Sequence, residues 1–60
     1  GIDPNFFMGD YLYRKGDYVA AKAALTKALA APSRPGRTLA DEGRRKEIQE
    51  ILAKVREKST

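Results

Sequence analysis

Two carboxylates, Asp10 and Asp17, and one basic cluster, Arg44-Arg45-Lys46, are the groups in this 60-residue chain whose chemistry could go beyond packing. A carboxylate does acid–base work when a nucleophile or a second titratable group stands within hydrogen-bond reach. Asp10 falls on a helix face and Asp17 at a helix start, and neither spacing supplies such a companion. The chain has no histidine and no cysteine. That removes the commonest general base and metal ligand, and with them thiolate chemistry and disulfides. The sequence holds no glycine-rich phosphate loop and no metal-ligand spacing. The expectation is a non-enzymatic protein without cofactor or metal.

The basic cluster could engage a phosphate or an acidic segment. The formal charge is +4, and the excess sits mainly in the second half. There, Arg34, Arg37, Arg44, Arg45, Lys46, Lys54, Arg56 and Lys58 are interleaved with Asp41, Glu42, Glu47, Glu50 and Glu57. Interleaved signs describe a solvated helix face rather than a nucleic-acid stripe. A helix-turn-helix reader would also bring Asp41 and Glu42 close to phosphate, and the linker before that helix is long and Pro-rich. Nucleic-acid binding is not expected. No apolar run approaches the roughly 20 residues of a membrane span. No signal-peptide pattern is visible, which tilts the expectation toward the cytoplasm without fixing a compartment.

Three helices must position these groups. The first is expected over 4–15, with Asp3 as N-cap and Pro4 at the first helical position. Residues 1–3 read as a cloning remnant ahead of it. The apolar residues Phe6, Phe7, Met8, Tyr11, Leu12 and Tyr13 cover more than one face, so this helix needs neighbours on two sides. Gly9, costly by about 1 kcal/mol inside a helix, is expected to admit a close neighbour. Gly16 suits the left-handed residue that ends a helix, and Asp17 is a good N-cap for the next. So short a link predicts an antiparallel hairpin.

The second helix is expected over 18–31, with Ala21, Leu25, Ala28 and Leu29 forming one stripe. Residues 32–37, containing Pro32, Ser33, Pro35 and Gly36, form a loop. The third helix is expected over 38–58, with Thr38 as N-cap and Asp41 completing a weak capping box. Its apolar stripe is Leu39, Ile48, Ile51, Leu52 and Val55. Around Gly43-Arg44-Arg45-Lys46 it lacks large apolar residues, so fraying or a partner is expected there. The fold class is therefore all-α: an antiparallel helical hairpin with a third, C-terminal amphipathic helix.

Residues 5 to 33 resemble one tetratricopeptide repeat. Met8-Gly9, Gly16-Asp17-Tyr18, Ala21, Leu25 and Ala28-Leu29 keep that family's spacing, although Pro32 arrives one residue early and Asn5 stands where a bulky residue is usual. Leu39 and Gly43 fall where a next repeat would place its bulky and small residues, but Glu50 stands in place of a turn glycine. The third helix then resembles a terminal capping helix. The resemblance implies a scaffold that binds another protein or peptide on the inner face of the first helix. By position that face would hold Phe6, Asp10, Tyr13 and Arg14, flanked by Arg44 and Arg45. Phe6 and Asp10 stand where carboxylate-clamping members carry Lys and Asn, so clamping of a peptide terminus is not expected.

Of the aromatics, Phe6 and Tyr13 are expected to be the partner-facing pair and the rest to be core. The leading expectation is a protein-interaction module that offers a groove to a helix or peptide. The first alternative is a terminal capping or dimerisation element, in which the wide apolar face of the first helix packs on its own copy or on a preceding repeat; the second, ranked below it, is a small nucleic-acid-binding helical domain.

Overall fold

A computed structural model describes residues 2–32 and 35–59. Gly1 of the expected remnant and Ser33 and Arg34 of the expected loop lie outside the described residues. Those residues contain three α-helices and no strand: α1 (Ile2–Lys15), α2 (Tyr18–Ala30) and α3 (Thr38–Ser59). The all-α expectation holds.

The α1–α2 turn follows from its own residues. Gly16 adopts φ +94°, a value open to glycine without strain. Its N–H donates to the Leu12 and Tyr13 carbonyls at 3.1 Å, and the Asp17 N–H donates to the Leu12 carbonyl at 2.9 Å. These bonds close the end of α1 in a Schellman arrangement. Asp17 Oδ1 accepts from the Ala20 N–H at 3.2 Å and so caps α2 as expected. Tyr13 meets Tyr18 beside the turn, and Gly9 meets Leu25 further along. Contacts that move away from the turn in step make the pair antiparallel.

Three local expectations change. Residues 2 and 3 are part of the fold, because α1 begins at Ile2, which is buried, and Asp3 pairs with Arg44. Asp3 therefore lies inside the first turn rather than capping it. Pro4 is tolerated there because the first N–H groups of a helix have no intrahelical partner. Thr38 is likewise inside its helix: the Arg37 carbonyl accepts the Asp41 N–H at 2.9 Å, so the cap sits one residue earlier.

The core is Ile2, Phe6, Ala21, Leu25, Ala28, Ile48, Leu52 and Val55. Each buried large aliphatic side chain stabilises the fold by about 1.5–3 kcal/mol. Ala21 and Ala28 add little area but let the helices close on Leu25 and Gly9. Leu29 and Ile51 are partly buried beside this cluster. Leu39 is a correction: it is 85% exposed. It precedes Ile48 by nine residues, two and a half helical turns, and so lies opposite the stripe to which it was assigned.

The N-terminal part of α3 is also corrected, being tied down rather than frayed. Asp41 is buried, and among the described residues no buried side-chain polar atom lacks a hydrogen-bond partner. Arg45 donates from Nη1 to the Leu29 carbonyl at 2.7 Å and from Nη2 to the Ala31 carbonyl at 2.6 Å. The last carbonyls of a helix have no partner within it, so this guanidinium caps α2 from α3. Arg44 reaches α1 instead. The 22 residues of α3 span about 33 Å, nearly the whole 37 Å length of the molecule. α3 is thus fixed by polar contacts near one end and by Ile48, Leu52 and Val55 along the rest.

Candidate protein-interaction surface

Of the six residues expected to contact a partner, the structure brings Phe6 to Arg44 and Asp10 to Arg14. Phe6 is 6% exposed and belongs to the core, which overturns its assignment to an open groove. The Arg44 guanidinium lies over its ring at 4.5 Å, and Phe7 packs against it edge-on. Tyr13 is half-buried against the core, with its ring 5.8 Å from that of Tyr18, so it is not an exposed anchor. Asp10 and Arg14 do meet, one helical turn apart, with Arg14 Nε 3.3 Å from Asp10 Oδ2. Arg14 is largely exposed, and a pair of this kind contributes only a few tenths of a kcal/mol.

Arg44 and Arg45 are placed by internal contacts. Arg44 Nε donates to Asp3 Oδ1 at 3.2 Å, its Nη1 donates to Glu47 Oε2 at 3.4 Å, and its guanidinium also lies 5.3 Å from the Phe7 ring centroid. It joins α3 to α1 by charge and by cation–π contact. Arg45 is committed to the α2 carbonyls. The expected solvated turn is therefore an interhelical clamp.

The exposed apolar surface lies elsewhere. Phe7 is 57% exposed, Met8 54% and Tyr11 59%, and Pro4 is exposed beside them. Residues 4, 7, 8 and 11 recur as i, i+3, i+4 and i+7, so they form one stripe along α1. This stripe exposes roughly 300 Å² of the three large side chains, within the range of the largest apolar patch on a typical monomer. Val19 and Leu39 are exposed on α2 and α3 respectively and do not extend it along the same helix.

A signal for this face was present in the sequence. Once Gly9 is the point where α1 meets α2, residues two positions away on either side lie about 200° round the helix. Those residues are Phe7 and Tyr11. Reading the six apolar residues as one wide arc concealed this phase.

No described helix is long and apolar enough to cross a membrane. No group of three or more carboxylate, histidine or cysteine residues that could hold a metal ion occurs among the described residues. Comparison of the chain with protein-family models, curated proteins and solved structures gives no match.

Proposed function

We propose that this chain is a non-enzymatic protein-interaction module, built like a tetratricopeptide hairpin with a closing helix, that docks a partner helix or peptide on the outer face of α1. The observation that carries the reading is the stripe of Phe7, Met8 and Tyr11, each more than half exposed on a helix whose opposite face is fully used in the core. Aromatic residues, Met and Arg are the types enriched at binding surfaces, and Arg14 stands beside this stripe. The Gly16-Asp17 turn and the seating of Gly9 on Leu25 support the family likeness. A rigid helix presents such a face with little ordering cost on binding.

The test is selection of helical peptides displayed against the wild-type chain, followed by titration of the selected peptides into variants. Tyr11→Ala and Met8→Ala should each weaken binding about tenfold or more while leaving the melting temperature nearly unchanged. Selected peptides that bind both variants as tightly as wild type would place the site elsewhere and remove this face from the reading.

A further inference from the structure

Resting on that reading of the α1 face, we infer that Met8 is a reversible oxidation site that regulates it, with a peroxide as the oxidant. The chain holds one methionine and no cysteine, tryptophan or histidine. Thiols and thioethers are the side chains such oxidants attack, so the reactivity of this chain toward peroxide is concentrated on a single sulfur. That sulfur is carried outside the core. Met8 is 54% exposed and belongs neither to the core nor to the side chains packed on it. It stands on the face of α1 where Phe7 and Tyr11 are also more than half exposed. Tyr11 follows it by three residues, so the two side chains are neighbours on the helix surface.

The chemistry asks nothing of the rest of the chain. A lone pair of the Met8 sulfur attacks one oxygen of hydrogen peroxide, and the S–O bond forms as the O–O bond breaks. The proton on the attacked oxygen passes to the other, which leaves as water. The sulfur gives up two electrons and the peroxide takes them. Thiol-dependent sulfoxide reductases run the reverse step, in which two thiols become a disulfide and the oxygen leaves as water. Oxidation therefore replaces a flexible apolar group with a polar, chiral one. The sulfoxide oxygen accepts hydrogen bonds, so covering it with an apolar partner costs free energy unless a donor meets it. In the free chain it stays in water. The bonds that hold α3, from Arg44 to Asp3 and from Arg45 to the Leu29 and Ala31 carbonyls, do not involve Met8. Oxidation thus acts on docking and leaves the fold in place.

The test treats the full chain with hydrogen peroxide and then removes the oxidant. Intact mass should rise by one oxygen atom, located on Met8 by fragmentation, at a rate close to that of free methionine. The melting temperature of the sulfoxide form should stay within the small range typical of surface changes. Helical peptides selected on the reduced chain should bind the sulfoxide form about tenfold more weakly or worse. Incubation with sulfoxide reductases for both epimers and a dithiol reductant should restore the affinity. Met8→Leu should take up no oxygen and show no peroxide-dependent change, whatever its own affinity.

Oxidation far slower than that of free methionine, or a fall of several degrees in melting temperature, would make Met8 part of the folded interior and overturn the switch. Peptides that bind the reduced and sulfoxide forms equally well overturn it too. Tyr11→Ala separates that failure from failure of the docking reading. If Tyr11→Ala weakens the peptides and oxidation does not, the α1 face stands and the switch alone falls. If neither change weakens them, both readings fall.

Discussion

Gly9 is packed so closely on Leu25 that a β-carbon at position 9 would stand 2.5 Å from Leu25 Cγ and 2.6 Å from Cδ2. Leu25 is fully buried. The hydrogen at Gly9 is thus what lets α1 and α2 approach, and the α1–α2 hairpin depends on it.

Gly9→Ala should destabilise the fold, against the ordinary preference. Alanine in a helix interior is favoured over glycine by about 1 kcal/mol, while overpacking a filled core costs about 1–3 kcal/mol. Contact well inside van der Waals distance with a fully buried side chain makes the second effect larger. Chemical denaturation should give a lower midpoint for Gly9→Ala, and an unchanged or raised midpoint would mean that α1 and α2 are less close than 2.5 Å implies.

Gly43→Ala tests the opposite case within the same chain. Gly43 lies inside α3, and a β-carbon there would meet nothing within 4 Å. Only the helix preference operates, so stability should rise by about 0.5–1 kcal/mol. The same denaturation measurement checks it. A loss of stability would show that the outer face of α3 near Leu39 is covered in solution.

Much of this fold was legible because it is decided locally. Gly16 and Asp17 end one helix and start the next through their own backbone and side-chain preferences, and Ala21, Leu25 and Ala28 share a stripe by spacing alone. What was not legible depends on phase and on distant partners. Phe6 and Phe7 are chemically identical neighbours, yet the first is core and the second exposed, because Gly9 sets the rotation of α1. Leu39 was misassigned for the same reason, half a turn out of phase with Ile48. Arg45 acts on carbonyls 14 and 16 residues earlier, across a Pro-rich loop, and no local pattern points to them. The assignment of Phe6 to an open groove failed on that rotation of α1.

Arg45→Ala should be among the more damaging changes to a charged residue. It leaves the Leu29 and Ala31 carbonyls without their charged donor at a partly buried site. Hydrogen bonds to a charged group contribute about 1.5–3 kcal/mol, so a loss of that order is expected in denaturation. Arg45→Lys should recover only part of it, because an ammonium lacks the planar fork that reaches both carbonyls. Full recovery by lysine would mean that a single contact suffices to hold α3 on α2.

Tyr11 and Tyr13 differ by two residues and should respond in opposite ways. Tyr13 packs on the core and on Tyr18 at 5.8 Å, so Tyr13→Ala removes apolar area and an aromatic pair worth about 0.5–1.5 kcal/mol beyond that area. Its melting temperature should fall by several degrees, as a loss above 1 kcal/mol produces in a domain of this size. Tyr11 is 59% exposed, and Tyr11→Ala should leave the melting temperature of the monomer within the small range typical of surface changes. Thermal scans of the dilute protein separate the two effects. A large destabilisation by Tyr11→Ala there would make Tyr11 part of the monomer's own core and would remove the central aromatic from the proposed face.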